Sequence, residues 1–431
     1  MADKRCDVLV IGSGPAGSIA ALVLARAGVR VALVDKADFP REKACGDLIG
    51  PRGVQLLLDL GFDASKEPRV GDMVVVGASG SRVRLPAAPG RTYPGYAIVV
   101  QRSTFDAMLQ RAAIEAGAEF IHGRASEVIG EGDRLAGFSL TPTTRIRADA
   151  IIGADGATSR VAEIAQLVDP GRVLWGFAVR TYCDEAVALP HIMLWTPKRR
   201  EAFPGYGWAF PAGDGRANVG LGVGVLADRT AARRAARDLD AFIHHAARVG
   251  VLTRGASVRT PARALGAWLK MGLVGTTPAR GRVLLVGDAA GLVNPLQGEG
   301  IAQAMGSGRA AAAAILAGVD RASDVYCAHI SRTYAPYFST TAPAHRALLH
   351  RPAVVAAVTR TLTAPAVGGA VAGGWSIMWN DLRDGAVPSV AAGVAATAAG
   401  LGRVLTSRSA DRRWIRALSR RVEPASNESG W

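Results

Sequence analysis

Cysteine is scarce in this sequence: its 431 residues include only four, which lie far apart and form no C-x-x-C pair. Zinc sites and disulfide frameworks depend on closely spaced cysteines, so neither is expected. None of the seven histidines stands at metal-ligand spacing from a carboxylate, and we expect no metal. A reducing cytosol is the default compartment for such a chain, which predicts a cytoplasmic protein.

A nucleophile signature of the Gly-x-Ser-x-Gly type is also missing, so the sequence does not indicate a hydrolase. The formal net charge of +15 suggests nucleic-acid binding at first sight. The basic residues are mostly scattered arginines without interleaved aromatic residues, however, and we expect no nucleic-acid partner. Hydrophobic residues form 49% of the chain and charged residues 20%, which excludes intrinsic disorder and leaves a folded enzyme or binding protein.

The N-terminal segment has the pattern of a nucleotide-binding βαβ unit. The apolar residues 6–11 predict a buried strand, and the glycine-rich turn 12–17 leads into a predicted helix that ends at Gly28. Residues 29–34 predict a second strand that ends at Asp35, eighteen residues after Gly17. A G-x-G-x-x-G motif between a strand and a helix, followed by an acid at this distance, predicts a dinucleotide site.

Each residue type in this turn has a physical role. Gly12 permits the tight turn, Gly14 lets a pyrophosphate approach the backbone, and Gly17 allows the helix to pack closely. The helix N-terminus offers unpaired N–H groups to phosphates, and Asp35 can accept hydrogen bonds from a ribose. The expected cofactor contacts at this turn are Gly12, Gly14, Pro15, Ala16, Gly17, Asp35 and Lys36.

Later segments extend the pattern to a doubly wound sheet. Two more apolar strands, at residues 151–156 and 283–288, end in glycine and aspartate. Residues 174–224 are rich in aromatic and β-branched residues, which predicts an inserted antiparallel sheet. A predicted helix that begins at residues 298–301 can present its positive end to a ligand that becomes anionic. A reduced flavin is such a ligand, which favours FAD as the dinucleotide.

Five motifs taken together resemble a known family of flavoproteins. They are the glycine-rich turn 12–17 and the segments 39–47, 153–156, 204–211 and 287–300. Over roughly residues 5 to 320, the chain resembles flavoproteins with the para-hydroxybenzoate hydroxylase fold and, among them, the geranylgeranyl reductase family.

The resemblance implies an α/β fold with a Rossmann-type FAD-binding domain, an inserted antiparallel β-sheet substrate domain and a helical C-terminal region. We expect the FAD-binding domain to be discontinuous and to take residues 1–70, 96–170 and 276–330. The substrate domain would take residues 71–95 and 171–275, and the helical region residues 331–431.

The resemblance also places further residues at the flavin. Arg102 matches the family's cofactor-contacting arginine, and Asp155 and Asp288 match the acids on the ribityl and ribose side. The additional expected cofactor contacts are Cys45, Gly46, Arg102, Asp155, Gly156, Asp288, Pro295, Gly298, Gly300 and Ile301.

Cys45 and three aromatic residues are the candidates for the chemistry and the substrate wall. Gly46 lets the backbone come close to a planar ring, so the Cys45 thiol can stand beside a flavin face, where the family places its cysteine. Tyr206, Trp208 and Phe210 alternate along the chain, which puts all three on one face of a strand. Cys45, Tyr206 and Trp208 are candidate catalytic residues, and the three aromatic residues are candidate substrate contacts. A small buried thiol and ordinary aromatic core packing are the alternatives.

The implied activity is an FAD-dependent reductase that saturates carbon–carbon double bonds of a prenyl chain, in a geranylgeranyl lipid or a prenylated quinone. The electron donor would be NAD(P)H or a small redox protein, and the proton would come from Cys45 or a positioned water. The alternative is a flavin-dependent monooxygenase or halogenase acting on an aromatic or polyketide metabolite. The sequence departs from aromatic hydroxylases of this fold at Gly291, where they usually carry histidine. A lipid carrier with an inactive flavin fold is the third hypothesis.

The C-terminal segment suggests a contact with the inner face of the cell membrane. Seven arginines and one acid, Asp411, lie between Arg403 and Arg421. Apolar residues at near-helical spacing predict a basic amphipathic helix on an anionic surface, and they are Val404, Leu405, Trp414, Ile415, Leu418 and Val422. A solvated terminal helix packed on the protein is the alternative.

Overall fold

The computed structural model describes residues 2–77, 79–85, 89–90, 92–131, 134–141, 144–194, 205–225, 230–253, 264–349 and 406–420, with scattered positions between 351 and 404. Pro204 of the aromatic motif and the apolar residues Leu405 and Val422 of the C-terminal segment lie outside these residues.

The strands fall into three sheets. In chain order they are β1 (Ala2–Ile11), β2 (Val31–Asp35), β3 (Leu48–Ile49), β4 (Arg69–Val70), β5 (Met73–Val76), β6 (Arg82–Leu85), β7 (Ala97–Val99), β8 (Glu119–His122), β9 (Arg124–Glu131), β10 (Arg134–Thr141), β11 (Thr144–Gly153), β12 (Leu174–Cys183), β13 (His191–Met193), β14 (Gly205–Pro211), β15 (Ala217–Val225), β16 (Leu265–Met271), β17 (Ala279–Arg280) and β18 (Val283–Leu285).

Helices connect and cover these sheets. In chain order they are α1 (Pro15–Arg26), α2 (Pro51–Asp59), α3 (Arg102–Glu115), α4 (Arg160–Ile164), α5 (Thr230–Arg248), α6 (Ile301–Leu316), α7 (Ala322–Leu349) and α8 (Ala410–Arg420). Short 3₁₀ turns lie at Ala64–Lys66, Gly287–Ala290 and Val319–Arg321.

The first sheet contains the N-terminal βαβ unit. Its strands run in the order β17-β18-β11-β1-β2-β8, and β10 and β9 extend it beside β11. The pairs of β1 with β11 and β2, of β2 with β8 and of β11 with β18 are all parallel. Residues 8–11 of β1 are buried because neighbouring strands and helices cover both faces, which explains their continuous apolar run. Proline at the first position of α1 and Gly28 just beyond its end, with a φ of +79°, delimit the helix.

The second sheet has the order β16-β12-β15-β14-β13-β5-β6 and is antiparallel except for the β13–β5 pair. Helix α5 packs on one face, where Phe242 joins Val219 and Leu221 in a buried cluster. A Cβ at Gly207 would overlap the Phe242 ring, so this glycine lets α5 lie close to β14. The opposite face carries the aromatic side chains of β14 and is directed away from α5.

A small third sheet has the order β3-β7-β4, and its three short strands come from residues 48–99. The segment that leads into β3 carries Cys45, Gly46 and Asp47. The amide N–H of Val100, just after β7, donates to the carbonyl oxygen of Asp47 at 3.0 Å. This short sheet therefore fixes the cysteine-bearing turn beside the start of α3.

Helix α8 packs against α7 with the face that the sequence predicts to contact lipid. Ile415 is fully buried, and Trp414 and Leu418 are half-buried against the core that includes α7. Asp411 accepts a hydrogen bond from the Arg346 guanidinium at 2.6 Å, which fixes the helix further. The expectation of an apolar face free for the membrane is therefore wrong at Ile415. Among the described residues, no helix has both the length and the apolar character needed to cross a bilayer.

Candidate functional site

The glycine-rich turn joins β1 to α1 and leaves space at one of its positions. Gly12 has a φ of +105°, and a Cβ there would overlap the backbone of Ala154 after β11. A Cβ at Gly17 would overlap the carbonyl oxygen of Gly12. At Gly14, the nearest protein atom to a Cβ would be in the Arg41 guanidinium, 3.6 Å away. Gly12 and Gly17 are thus required for packing, whereas a side chain at Gly14, at the helix N-terminus, would meet only the end of the Arg41 side chain.

Asp35 at the end of β2 holds this turn in place. Its two carboxylate oxygens accept hydrogen bonds from the backbone N–H groups of Ser13 at 2.7 Å and Ala37 at 2.9 Å. The carboxylate is half-buried and keeps lone pairs for a further donor. Lys36 beside it is exposed.

Helix α6 packs closely against α1. A Cβ at Gly308 would overlap the carbonyl oxygen of Ala16, and a Cβ at Gly287 would lie 3.2 Å from the Cβ atoms of Ala16 and Ala304. Small residues therefore allow the close approach of the two helices. Ile301 is the first residue of α6, so the site has a second helix N-terminus with unpaired N–H groups.

The two predicted acids of the ribityl and ribose side differ in their surroundings. Asp155 accepts hydrogen bonds from the Ser159 hydroxyl and from the N–H groups of Arg160 and Val161 in the first turn of α4. Burial raises the pKa of Asp155. Asp288 is half-buried, makes no side-chain hydrogen bond to the described residues, and would lie 3.4 Å from a Cβ on Gly300. Asp288 is therefore the acid with oxygens available to a ligand.

Three charged side chains connect the glycine-rich turn to the start of α3. Asp106 is fully buried and binds Arg102 through two hydrogen bonds of 2.7 and 2.8 Å. The Arg41 guanidinium lies 3.0 Å from the same carboxylate and also closest to the open space at Gly14. Sequence reasoning missed Arg41 and Asp106 as site residues, although Arg41 lies within the segment 39–47 that carries the family resemblance.

The Cys45 side chain is half-buried beside Arg102. Its sulfur accepts a hydrogen bond from the Asp47 N–H at 3.4 Å and interacts with the Arg102 guanidinium. Burial raises the pKa of the thiol, and the charge of Arg102 opposes that rise. Cys45 is therefore a protonated thiol at neutral pH and a weak acid.

A buried polar network fixes the turn around Cys45. The Asn218 Nδ2 group donates to the Cys45 carbonyl oxygen and to an Asp47 carboxylate oxygen, both at 2.8 Å. The Trp208 indole N–H donates to Asn218 Oδ1 at 2.9 Å, and the Tyr182 hydroxyl donates to Asp47. Asp47 itself has a φ of +61° and no exposed surface. Asp47, Asn218 and Tyr182 were not predicted, because their partners are distant in sequence and form no local pattern.

Tyr206, Trp208 and Phe210 lie on one face of β14, as their alternation predicts. The residues opposite them on β15 are Gly222, Gly220 and Asn218. A Cβ at Gly220 would overlap the Trp208 ring, so the small residues of β15 make room for the aromatic side chains.

Gly46 packs against this aromatic face. A Cβ there would lie 2.9 Å from the Phe210 ring and 3.3 Å from the Trp208 indole nitrogen. The planar rings that require glycine at this position are therefore those of the protein. The aromatic face continues into an apolar cluster around Ala178 and Ile192, with six partly buried members: Leu48, Met73, Leu194, Tyr206, Leu269 and Leu296.

Residues 286–300, between β18 and α6, form a loop beside the aromatic face of β14. The N–H of Asn294 donates to the Glu299 carbonyl oxygen at 2.8 Å, and the N–H of Gly298 donates to the Asn294 carbonyl oxygen at 2.9 Å. The Tyr206 hydroxyl donates to the Gln297 carbonyl oxygen. Helix α7 supports this loop, because the Tyr337 hydroxyl donates to Asn294 Oδ1 at 3.3 Å. The loop thus brings Glu299, which was not predicted as a site residue, close to Tyr206.

Most of the predicted residues therefore gather around one region between the first and second sheets. The described residues contain no group of three His, Cys, Asp or Glu side chains able to hold a metal ion. The region offers two helix N-termini, the space beside Gly14, the Asp288 carboxylate and a partly exposed apolar wall.

Comparison with known proteins identifies relatives of this chain. Residues 5–325 match the family described as FAD binding domain. The menaquinone reductase of Mycolicibacterium smegmatis is 34% identical over 324 residues, covering 73% of this chain and 78% of that protein. The digeranylgeranylglycerophospholipid reductase 1 of Methanopyrus kandleri is 32% identical over 318 residues, covering 71% of this chain and 79% of that protein.

Solved structures share the fold. A geranylgeranyl bacteriochlorophyll reductase-like protein of Thermoplasma acidophilum superposes with a TM-score of 0.69 at 21% identity, covering 96% of this chain and all of that one. A flavin-dependent brominase superposes with a TM-score of 0.64 at 18% identity, covering 96% of this chain and all of that one. The predicted fold class is thereby confirmed.

Proposed function

Because this chain belongs to the FAD binding domain family and is an FAD-dependent oxidoreductase, we propose that it saturates carbon–carbon double bonds in the prenyl chain of a lipid or quinone. Its resemblance to geranylgeranyl reductases is confirmed by relatives above 30% identity that are named digeranylgeranylglycerophospholipid reductase and geranylgeranyl diphosphate reductase. The brominase resembles the chain only in fold.

The observation that carries the proposal is the apolar wall beside Cys45. Tyr206, Trp208 and Phe210 form one face with partly exposed aliphatic side chains, and Asn218 ties that face to the Cys45 turn. Such a wall can hold a long hydrocarbon chain by burial alone, without hydrogen bonds to the substrate. A substrate rich in polar groups would leave them unpaired there.

The residues present fit FAD. Gly14 and the N-terminus of α1 would receive the pyrophosphate, because a Cβ at Gly14 would fill the space that the phosphates need. Asp35 would bind the ribose and Asp288 the ribityl hydroxyls, while Gly298, Gly300 and Ile301 would present the α6 N-terminus to the ring. The remaining proposed contacts are Pro15, Ala16, Gly17, Lys36, Cys45, Gly46, Arg102, Asp155, Gly156 and Pro295.

A bound and reduced flavin would supply hydride to one alkene carbon. The protein's part is to hold the chain against Tyr206 and the half-buried aliphatic side chains that surround Trp208 and Phe210, to exclude water with these apolar groups, and to supply the proton for the other carbon. Cys45 would contact the reacting bond at the end of the wall. The electron donor would be NAD(P)H or a small redox protein, and the exposed arginines of α8 would give a peripheral contact with anionic lipid.

Product analysis tests the proposal. The FAD-loaded protein, reduced chemically without oxygen, should convert a menaquinone or a geranylgeranyl lipid to products that gain two hydrogen atoms for each bond saturated, as measured by mass spectrometry. A Trp208→Ala variant should bind the flavin and lose most of this conversion. Hydroxylated or halogenated products that appear only with oxygen would instead establish the monooxygenase or halogenase alternative. Gly291 argues against a hydroxylase, because a histidine is usual there in that class.

A further inference from the structure

Glu299 is a carboxylic acid in the loop that faces the apolar wall. It lies between Gly298 and Gly300, immediately before α6, and its backbone is held by the hydrogen bond from Asn294. A Cβ at Gly298 would be 3.5 Å from the Tyr206 hydroxyl and 3.7 Å from Leu269, so this loop lies directly against the wall. The Glu299 side chain is half-buried there.

Two amide side chains surround the Glu299 carboxyl group. Gln297 donates from its Nε2 to Glu299 Oε2 at 3.3 Å. The side chain of Gln303, in the first turn of α6, acts on the same carboxyl group and opposes the rise of its pKa. The Oε1 atom of Gln303 is buried and has no hydrogen-bond partner within the described chain. Because the two ends of an amide can exchange by rotation, Gln303 can donate to a carboxylate or accept from a carboxylic acid. The site can therefore accommodate both protonation states.

The proposed reaction needs an acid stronger than a buried thiol. A prenyl double bond has no carbonyl group beside it, so it must receive its proton from a group that gives it up readily. Burial raises the pKa of Cys45 above that of an ordinary thiol, which makes it a poorer donor. Burial raises the pKa of Glu299 to about 7, which leaves it protonated in part at neutral pH and still more acidic than the thiol.

We propose that Glu299 is the general acid of the alkene reduction. Its O–H bond breaks as a C–H bond forms at one alkene carbon, while hydride from the reduced flavin forms the C–H bond at the other. The alkene is reduced, the flavin is oxidised, and Glu299 is left as a carboxylate that takes a proton from water before the next turnover. This assignment rests on the proposed function and deepens it by naming the proton source.

The surroundings of Glu299 suit both halves of that cycle. Apolar neighbours favour the protonated form before the reaction. The Gln297 and Gln303 amides and the N-terminus of α6 then stabilise the carboxylate that forms, without any need to reorient distant groups.

Two other titratable groups at the loop do not act as acids at neutral pH. Tyr206 on β14 stays protonated because burial raises its pKa, and His345 on α7 stays neutral because burial lowers its pKa to about 4. Asp288 lies beside Gly300, and its charge acts on Lys270 of β16. Burial lowers the pKa of Lys270 to about 8. Cys45 is the other titratable group whose charge would act on Tyr206.

The first experiment measures the proton on Glu299 directly. Infrared difference spectra of the FAD-loaded protein should be recorded from about pH 5 to about pH 9. They should contain a carboxylic-acid band that disappears as the pH rises through about 7. Glu299→Gln should lack that band, whereas the control Glu115→Gln, at an exposed position of α3, should keep it. A band unchanged in Glu299→Gln would overturn the assignment.

The second experiment measures turnover. Glu299→Gln should retain FAD and flavin reduction but lose alkene reduction by on the order of 10²-fold, the usual contribution of a general acid. The wild-type rate should fall as the pH rises through about 7, and Cys45→Ser should keep that pH dependence. Glu299→Gln with a rate within threefold of wild type would overturn the proposal. A wild-type protein that reduces no prenyl lipid would defeat the proposed function instead, while the infrared titration would still decide whether Glu299 holds the proton.

Discussion

The indole N–H of Trp208 donates a hydrogen bond to Asn218 Oδ1 at 2.9 Å, and this bond sets the direction of the Asn218 amide. An indole can only donate and a backbone carbonyl can only accept, so the amide oxygen must face Trp208 and the amide nitrogen must face Cys45. The substrate wall and the cysteine turn are thereby joined through one buried side chain. A change in the position of Trp208 is passed on to the turn that carries Cys45.

Replacing Asn218 by leucine should destabilise the protein by about 3 kcal/mol, because several buried polar groups lose their partner. The groups affected are the Trp208 indole, the Cys45 carbonyl and the Asp47 carboxylate. Urea unfolding followed by circular dichroism measures the change. Gln110→Leu is the matched control: it also removes a buried amide, but the nitrogen of Gln110 has no partner among the described residues, so its cost should be under about 1 kcal/mol. Equal losses in the two variants would contradict the importance of the network.

The βαβ unit could be predicted from the sequence because its signals are local. An apolar run, three glycines at fixed spacing and a terminal acid all fall within residues 6–35. The alternation of Tyr206, Trp208 and Phe210 is local in the same way, and it correctly places the three side chains on one face.

The polar network could not be predicted, because it is assembled by the fold. Asn218 reaches Asp47 across 171 positions of the chain, and Tyr182 reaches it across 135. Nothing in the sequence near either residue indicates such a partner. The C-terminal helix α8 could be predicted as an amphipathic helix, but its partner could not. An apolar helix face can pack on lipid or on protein, and here α7 covers Ile415.

Gly14→Val should lose FAD and keep the fold. A side chain at Gly14 meets no protein atom closer than the flexible Arg41 guanidinium, so it would fill the space proposed for the pyrophosphate instead. The absorbance spectrum of the purified protein measures flavin content, and circular dichroism measures the fold. Gly17→Ala provides the contrast, because its Cβ would overlap the Gly12 carbonyl and should lower the thermal midpoint itself. Full flavin absorbance in Gly14→Val would show that the phosphate site is elsewhere.

Lys270→Met should stabilise the protein at neutral pH. Lys270 is fully buried, and burial lowers its pKa from 10.5 to about 8. Below pH 8 Lys270 is charged in both the folded and the unfolded protein, so folding must bury a cation and is less favourable for it. Between pH 8 and 10.5 the unfolded chain binds more protons than the folded one, and stability rises with pH until the cost is gone.

The expected gain for Lys270→Met is therefore about 3 kcal/mol at pH 7, and it should shrink as the pH approaches 10.5. Urea unfolding at pH 7 and again at pH 9.5, about one unit below the unfolded value, measures both quantities. Lys66→Met, at an exposed position, should change stability little at either pH. A loss of stability in Lys270→Met at pH 7 would mean that the attraction of the Lys270 charge to Asp155 and Asp288 outweighs the cost of burying that charge.

Helix α8 should bind anionic liposomes through charge alone. Arg413 and Arg416 are exposed, whereas Ile415 is buried against the protein and cannot enter the lipid. Sedimentation with anionic vesicles should therefore be strong at low salt and lost at high salt. Replacing both arginines by glutamate should weaken binding by about 1 kcal/mol or more for each. The same two replacements at the exposed Arg111 and Arg124 are the control, and an equal loss there would assign the effect to net charge rather than to α8.

Cys45→Ala should remain loaded with FAD and lose most of its alkene reduction. The thiol accepts one hydrogen bond from the Asp47 N–H and lies beside Arg102, but it holds neither the glycine-rich turn nor Asp288. Its removal should therefore leave the flavin spectrum unchanged. A small cavity at the end of the apolar wall would let the prenyl chain move away from the reacting position, and a displacement of about 1 Å there can lower the rate on the order of 10²-fold. Flavin absorbance and mass spectrometry of the lipid products measure the two effects separately. Wild-type conversion by Cys45→Ala would show that Cys45 is only a small buried side chain, and loss of the flavin would place it in cofactor binding instead.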